Sequence, residues 1–202
     1  MGNQWLNRHN SDIYVKQSRL DGYRSRAVYK LAQIDARDHL LTGNMNVIDL
    51  GAAPGGWSQW IAKNKQIKVF ALDILPMEPL INVTFIQGDF REDEVLNKLL
   101  EQLGGCKIDL VISDMAPNTS GIKDVDQARS MLLAELARDF AYEVLTQNGN
   151  FLTKVFQGEG FDFYIKSLRQ QFKKVVTRKP DASRAKSPEV YLVGKNYLGN
   201  SN

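Results

Sequence analysis

The stretch Asn46-Val-Ile-Asp-Leu-Gly-Ala-Ala-Pro-Gly-Gly-Trp57 constrains this chain more than any other. Val47, Ile48 and Leu50 form a short apolar run of the kind found in strands buried on both faces. Gly51, Gly55 and Gly56 then supply a tight turn, and a helix is predicted to begin near Trp57 and run through Ile61. A strand that ends in a glycine-rich turn and re-enters a helix is the ligand-binding corner of a Rossmann-like sheet. Absent side chains let backbone approach a ligand, and the helix N-terminus points N–H groups at it. The glycine spacing discriminates between ligands. A dinucleotide fingerprint reads G-x-G-x-x-G, whereas this turn reads G-x-x-x-G-G with Pro54 inside it. That pattern disfavours NAD and favours a nucleoside without a pyrophosphate, of which S-adenosylmethionine is the obvious case.

Further elements follow in alternation. Ile67–Leu72, Val83–Ile86, Ile108–Ile112 and Phe151–Phe156 read as strands, and residues 91–103, about 125–145 and 161–172 as helices. In the longest helix Ala128, Leu132, Leu136 and Phe140 recur at four-residue steps, predicting a core-facing stripe, and Asn148-Gly149 is expected to stop it. A helix from Ser25 to Ala36 precedes the glycine turn, with Ser25 as its cap and Val28, Leu31 and Ile34 at helical spacing. Lys174–Thr177 and Val190–Val193 form a last strand pair joined by the basic loop Arg178–Pro188. Such alternation makes a doubly wound, parallel α/β sheet the economical fold.

With 202 residues the chain fits one α/β domain, 1–202. It contains no apolar run of membrane-spanning length, and MGNQWLNRHNSD lacks the apolar core of a signal peptide. Leu6 stands where a myristoylation signal wants Ser or Thr. One cysteine, Cys106, excludes an internal disulfide, and with two histidines it provides no zinc cluster. A cytoplasmic protein without a metal is expected, and a monomer is the simplest assembly. The net charge of +3 hides an asymmetry: residues 1–36 hold six Lys/Arg against three acids, and residues 166–186 hold eight against one. Within residues 1–24, Arg8, His9, Lys16, Arg19 and Arg24 alternate with Trp5, Tyr14 and Tyr23, which suits phosphate contact plus base stacking. The bland alternative is a pair of solvated faces and an amphipathic start packed on the domain.

In an open parallel sheet, ligands sit outside the carboxyl ends of the strands. Gly51, Asp73, Asp89 and Asp114 all fall at such ends, and Asp73 lies 22 residues beyond Gly51, near the distance at which these folds place a carboxylate on ribose hydroxyls. Each acid alone would read as a cap or a solvated loop carboxylate; together they predict one crevice. Trp57 either walls that crevice or fills the core beneath the first helix. Lys154 stands between Thr153 and Val155 in an apolar strand, where an unpaired buried amine costs several kcal/mol, so it needs a partner or a function. Lys30 taken alone is a solvent-facing helix lysine.

Asp-Leu-Gly-Ala-Ala-Pro-Gly-Gly-Trp-Ser-Gln, Ser-Asp-Met-Ala-Pro, Lys-Val-Phe-Gln-Gly-Glu-Gly and Arg-Lys-Pro-Asp-Ala-Ser-Arg together resemble the FtsJ/RrmJ family of ribose 2′-O-methyltransferases, from about Trp5 to Val193. The resemblance implies a Rossmann-like methyltransferase fold with a seven-stranded, mostly parallel sheet, one antiparallel strand and helices on both faces. It implies S-adenosylmethionine as methyl donor, contacted by Gly55, Trp57, Asp73, Asp89 and Asp114. It further implies a Lys-Asp-Lys-Glu tetrad falling on Lys30, Asp114, Lys154 and Glu189. The substrate it implies is a uridine of large-subunit (23S) ribosomal RNA, methylated late in ribosome assembly, with ribosomal RNA or the large subunit as partner and residues 1–24 adding to RNA binding. Transfer RNA and messenger RNA cap substrates are alternatives, as is a non-catalytic RNA-binding assembly factor. A small-molecule O-methyltransferase is disfavoured by the basic segments.

For such a reaction a ribose hydroxyl must lose its proton while its oxygen attacks the sulfonium methyl in line. A neutral lysine can take that proton, but bringing a free lysine from ~10.4 to ~7 asks for about 4–5 kcal/mol of differential interaction. A neighbouring Lys30, the sulfonium charge and desolvation favour this, whereas Asp114 and Glu189 oppose it. Two assignments result. In one, Lys154 is the base and Asp114 orients it, with Lys30 and Glu189 positioning the ribose and tuning the charge; in the other, a charged Lys154 stabilises the developing alkoxide while water takes the proton.

Overall fold

In a computed structural model, which describes residues 12–64, 66–184 and 187–199, the glycine turn follows an interior strand, next to the central one, of a seven-stranded sheet. Two helices, α1 (Ile13–Leu20) and α2 (Ala27–Asp38), precede β1 (Asn46–Leu50). Then come α3 (Gly56–Ile61), β2 (Lys68–Asp73), β3 (Val83–Gln87), α4 (Asp93–Leu103), β4 (Ile108–Ser113) and α5 (Lys123–Val144). The chain ends with β5 (Leu145–Phe156), α6 (Phe161–Gln171), β6 (Phe172–Arg178) and β7 (Glu189–Tyr197). The order across the sheet is β3-β2-β1-β4-β5-β7-β6. β1 to β5 pair in parallel, and β7 alone runs against its neighbours β5 and β6. The Rossmann-like fold and the single antiparallel strand expected from the resemblance are therefore present. Strand order reverses between β1 and β4, the switch point at which such sheets bind ligands.

Side-chain alternation along the strands builds two cores. Ile48 and Leu50 of β1 pack with Leu99, Phe140 and Leu168 from α4, α5 and α6 on one face. Val47 of β1 packs with Leu31 and Ile34 of α2 and with Trp57 and Ile61 of α3 on the other. Tyr191 and Val193 of β7 and Leu152 of β5 belong to that second face. Residues of the same parity, Asp49, Lys154 and Glu189, are thereby aimed toward the α2 side of the sheet.

Several expectations are corrected. Ser25 does not cap the helix after it: α2 starts two residues later with Arg26 at the cap and no capping side chain, and extends through Asp38 to a left-handed His39. Ser25 instead packs on Gly56, where a Cβ would come 2.3 Å from its hydroxyl. Within the basic N-terminal segment α1 forms, capped by Asp12, whose carboxylate accepts the Tyr14 N–H at 3.0 Å. Trp5, Arg8 and His9 lie outside the described residues. The stripe assigned to the long helix is displaced. Leu132 is 49% exposed and Ala128 is exposed, while Ser130, Met131, Ala134, Ala137, Phe140 and Ala141 are buried. Steps of four residues drift around a helix of 3.6 per turn, so the predicted stripe meets the core at Phe140 and Leu136 and leaves it at Leu132 and Ala128. The small side chains at 134, 137 and 141 set that face against the sheet. Asn148-Gly149 does not end this helix either, because α5 passes straight into β5 at Leu145 and Asn148 sits at φ 65° inside an irregular start of the strand.

Candidate active site

The turn after β1 is folded back on the sheet: the N–H groups of Gly51 and Ala52 donate to the Leu72 carbonyl at 2.9 and 3.2 Å. Gly51 has φ 75°, and a Cβ there would lie 2.7 Å from the Met115 side chain and 3.1 Å from its backbone, so the chain leaving β4 requires glycine at this point. Asp73 joins the ends of β1 and β2, one carboxylate oxygen accepting the Ala53 N–H at 2.8 Å and the other the Leu75 N–H at 2.8 Å. Arg24 fastens the same region from outside. Its guanidinium donates to the carbonyls of Pro54, Glu78 and Pro79 at 3.3, 2.7 and 2.9 Å.

A cavity of about 430 Å³ opens over this turn, a size suited to a nucleoside-sized ligand. Lys30, Asp49, Gly51, Trp57, Asp114 and Glu189 are among its walls. Trp57 fulfils both of its expected roles: it is buried in the core, lines the cavity, and donates its indole N–H to the Ala27 carbonyl at 2.7 Å. Asp73 and Asp89 do not line the cavity. Asp89 pairs with Arg91 across 2.5 Å, and the hydrogen bonds from Arg91 bring its pKa down to about 2.

Four candidate side chains from distant parts of the chain meet in one network. The Lys154 amine donates to the Asp114 carbonyl at 2.5 Å and stands 3.0 Å from its carboxylate. The same carboxylate oxygen accepts the Tyr191 hydroxyl at 2.7 Å. Tyr191 in turn accepts from the Lys30 amine at 3.1 Å, and Lys30 pairs with Glu189 at 2.7 Å. Lys154 is 7% exposed and sits behind Asp114 rather than in the cavity wall, whereas Lys30 has been turned out of solvent onto Glu189. Two ammonium groups therefore face two carboxylates, and the cluster balances its charge. Burial pushes Asp114 upward, but the charges of Lys154 and Lys30 and the hydrogen bonds from Tyr191 and Lys154 outweigh it and hold the carboxyl below its usual value. Tyr191 keeps its proton: burial, then the charges of Asp114 and Glu189, raise it well above the ordinary phenol.

Two residues of this site escaped the sequence reading. Tyr191 falls in the apolar strand run Val-Tyr-Leu-Val, and its pairing opposite Lys154 is visible only once the register of β5 and β7 is known. Asp49 carried a signal that was there to be read, an acid in the apolar run Val-Ile-Asp-Leu, the same anomaly that singled out Lys154. One of its carboxylate oxygens accepts the Ser58 hydroxyl at 2.6 Å, and the other is buried without a partner among the described residues. Burial raises its pKa to about 7, against the opposing hydrogen bond of Ser58. An orphaned acceptor on a cavity wall fits a ligand that brings a donor or a positive charge.

Among the described residues no group of three or more His, Cys, Asp or Glu is placed to hold a metal, and no helix is long and apolar enough to cross a membrane. Comparison with known proteins is consistent over the whole described fold. The chain is 57% identical over 198 residues to the ribosomal RNA large subunit methyltransferase E of Dichelobacter nodosus, covering 96% of this chain and 94% of the relative. The protein of that name from Chromohalobacter salexigens is 58% identical over 197 residues, with 96% and 94% covered. A solved structure from Plasmodium falciparum, described as a ribosomal RNA methyltransferase, superposes with a TM-score of 0.80 at 34% identity, over 88% of this chain and 100% of that one. The fibrillarin/Nop5p complex shares the fold at a TM-score of 0.58 and 18% identity, over 83% of this chain and 81% of that one. With the FtsJ-like methyltransferase profile matching residues 23–197, the chain belongs to the FtsJ-like methyltransferase family.

Proposed function

We propose that this chain methylates the 2′-hydroxyl of a uridine ribose in large-subunit (23S) ribosomal RNA late in subunit assembly, with S-adenosylmethionine as donor. The observation that carries this reading is the network Lys30–Glu189–Tyr191–Asp114–Lys154 beside a nucleoside-sized cavity at the switch point of the sheet. The names of the relatives support the ribosomal substrate, and the basic segments suit a polyanion.

The residues present fit the donor. Asp73 retains lone pairs for ribose hydroxyls, and the orphaned oxygen of Asp49 suits an ammonium. Trp57 and Asp114 would hold S-adenosylmethionine on the cavity wall, and Gly55, Asp73 and Asp89 where the ligand runs past that wall along the ends of β1, β2 and β3; when bound it supplies an electrophilic methyl group. Lys154 is the base in this reading. Asp114 takes two of its N–H groups, one on the carbonyl and one on the carboxylate, so the third tetrahedral position is left for the ribose hydroxyl. The ammonium first gives one proton to water; the neutral amine then presents its lone pair there and receives the hydroxyl proton. Lys30, fixed by Glu189 and Tyr191, binds the ribose oxygens from the cavity side. Trp57 and the buried faces of Asp114 and Tyr191 exclude water, and holding the hydroxyl in place supplies much of the acceleration.

Lys154→Ala tests the assignment. Methyl incorporation from labelled S-adenosylmethionine into large subunits is expected to fall by roughly 10²–10⁴-fold, the range for loss of a general base, while RNA affinity is retained. Undiminished methylation by this variant would remove Lys154 from the mechanism. Mapping ribose methylation in RNA from cells with and without this protein tests the substrate, and the expected difference is one 2′-O-methyluridine in the large-subunit RNA.

A further inference from the structure

The loop between β6 and β7 brings Arg184 to the wall of the cavity that Lys30, Asp114 and Glu189 also line. Its described residues are pinned on either side of Arg184. Ala182 and Ser183 are buried, the Ala182 N–H donates to the Gln33 side chain at 3.1 Å, and the Arg26 guanidinium donates to the Ala182 carbonyl. The Ser183 hydroxyl donates to Glu189 at 2.9 Å, and the Ser187 N–H returns to the Arg184 carbonyl at 3.0 Å. The other cations at this wall are paired: Arg26 with Asp12, Lys30 with Glu189, and Lys154, behind it, with Asp114. Arg184 is exposed and has no acid or carbonyl partner for its guanidinium among the described residues. Its charge nevertheless reaches the wall, since burial and then Arg184 lower the neighbouring Arg26.

A guanidinium next to the anchored Ala182-Ser183 pair, beside an otherwise neutralised cluster, is suited to an oxyanion, which it binds through two parallel hydrogen bonds. Two oxyanions can come near: a phosphodiester of the RNA and the carboxylate of the methyl donor. Position separates them. The nucleoside turn follows β1, whereas Arg184 leads into β7, three strands away in the order β1-β4-β5-β7, and its neighbour Ser183 is tied to Glu189. Arg184 thus adjoins Lys30 and Glu189 on the ribose side.

We propose that Arg184 grips the phosphodiester next to the target ribose, and so sets which hydroxyl is presented to Lys30 and Lys154. The inference rests on the RNA reading above. It is tested with Arg184→Ala and Arg184→Lys, using large ribosomal subunits from cells lacking this protein. Binding to subunits across a salt series, methyl incorporation, and calorimetric binding of S-adenosylmethionine are measured in parallel. Arg184→Ala is expected to raise KM for subunits roughly ten-fold or more. It should also flatten the dependence of log affinity on log salt by about 0.7–0.9, one phosphate contact. Arg184→Lys should restore the salt slope without the full affinity, because an ammonium keeps the charge and loses the bidentate fork. Donor affinity should not change.

An unchanged KM and salt slope in Arg184→Ala would overturn the inference. So would weakened donor binding with unaltered RNA affinity, which would move the guanidinium to the donor's carboxylate. If the alanine variant melts early, Arg184→Gln keeps the length and polarity of the side chain while removing the charge, and the same loss of KM and salt slope is expected of it. Wild-type protein that binds subunits without methylating them would sink the proposed activity, while the salt slope of binding would still decide the role of Arg184.

Discussion

Lys154 on β5 and Tyr191 on β7 stand directly opposite one another in the antiparallel pair, and both reach the carboxylate of Asp114. Opposed residues share a face of the sheet, so the strand register itself delivers the amine and the phenol to one acceptor. Tyr191→Phe keeps the buried ring and removes only the hydroxyl that links Lys30 to Asp114. Methyl transfer is expected to drop by roughly 10- to 100-fold, the worth of hydrogen bonds to charged groups, with little change in melting temperature. The hydroxyl also helps hold Asp114 below its usual value, so its loss raises that carboxyl. The acid limb of the pH–rate profile should then move to higher pH, a shift that a purely structural defect would not produce.

Asp49 gives the ligand-free chain a second pH signature. Its pKa is raised to about 7 in the folded chain, from an ordinary carboxyl value when unfolded. Between those two values the folded state holds a proton that the unfolded state has released, so stability falls as pH rises through this window and levels off above about 7. Chemical denaturation at pH 5 and pH 8 should show this decline in the wild type and a smaller one in Asp49→Asn. A slope identical in both would place the buried proton elsewhere.

Arg178 on β6 forks onto Asp38 at the end of α2, with contacts of 2.7 and 2.8 Å, and Asp38 is almost fully buried. Arg178→Ala leaves that carboxylate without its charged partner and is expected to cost about 2–3 kcal/mol, read as a lower midpoint in urea. Lys30 sits two turns earlier on the same helix, so activity should fall with it. Asp38→Asn together with Arg178→Ala should recover part of the stability, because no buried charge is then stranded.

The sheet was legible from Val47-Ile-Asp-Leu and the runs like it because burial on both faces leaves a continuous apolar signature. Lys154 was legible for the same reason inverted, as a charge where the strand allows none. The α5 face was not, because a helix with polar positions all around it offers several plausible stripes, and the sheet selected the one lined with small residues. Lys30 and Glu189 could be paired only through resemblance, since 159 residues separate them and neither breaks a local pattern. Tyr191 needed the register of an antiparallel strand. The strand ends did not carry all their acids into one crevice: Asp73 is engaged by two backbone N–H groups and Asp89 by Arg91, while Asp49, one strand interior, reaches the cavity.

The three carbonyls gripped by Arg24 belong to two loops, the turn after β1, whose Pro54 lines the cavity, and the connection from β2 to β3. A residue from the segment ahead of α2 thus acts as a rivet joining the glycine turn to the β2–β3 connection. A minimal catalytic core cut to begin at β1 would lose that fastening along with Lys30. Anything that tugs on the leading segment would be felt at the glycine turn after β1.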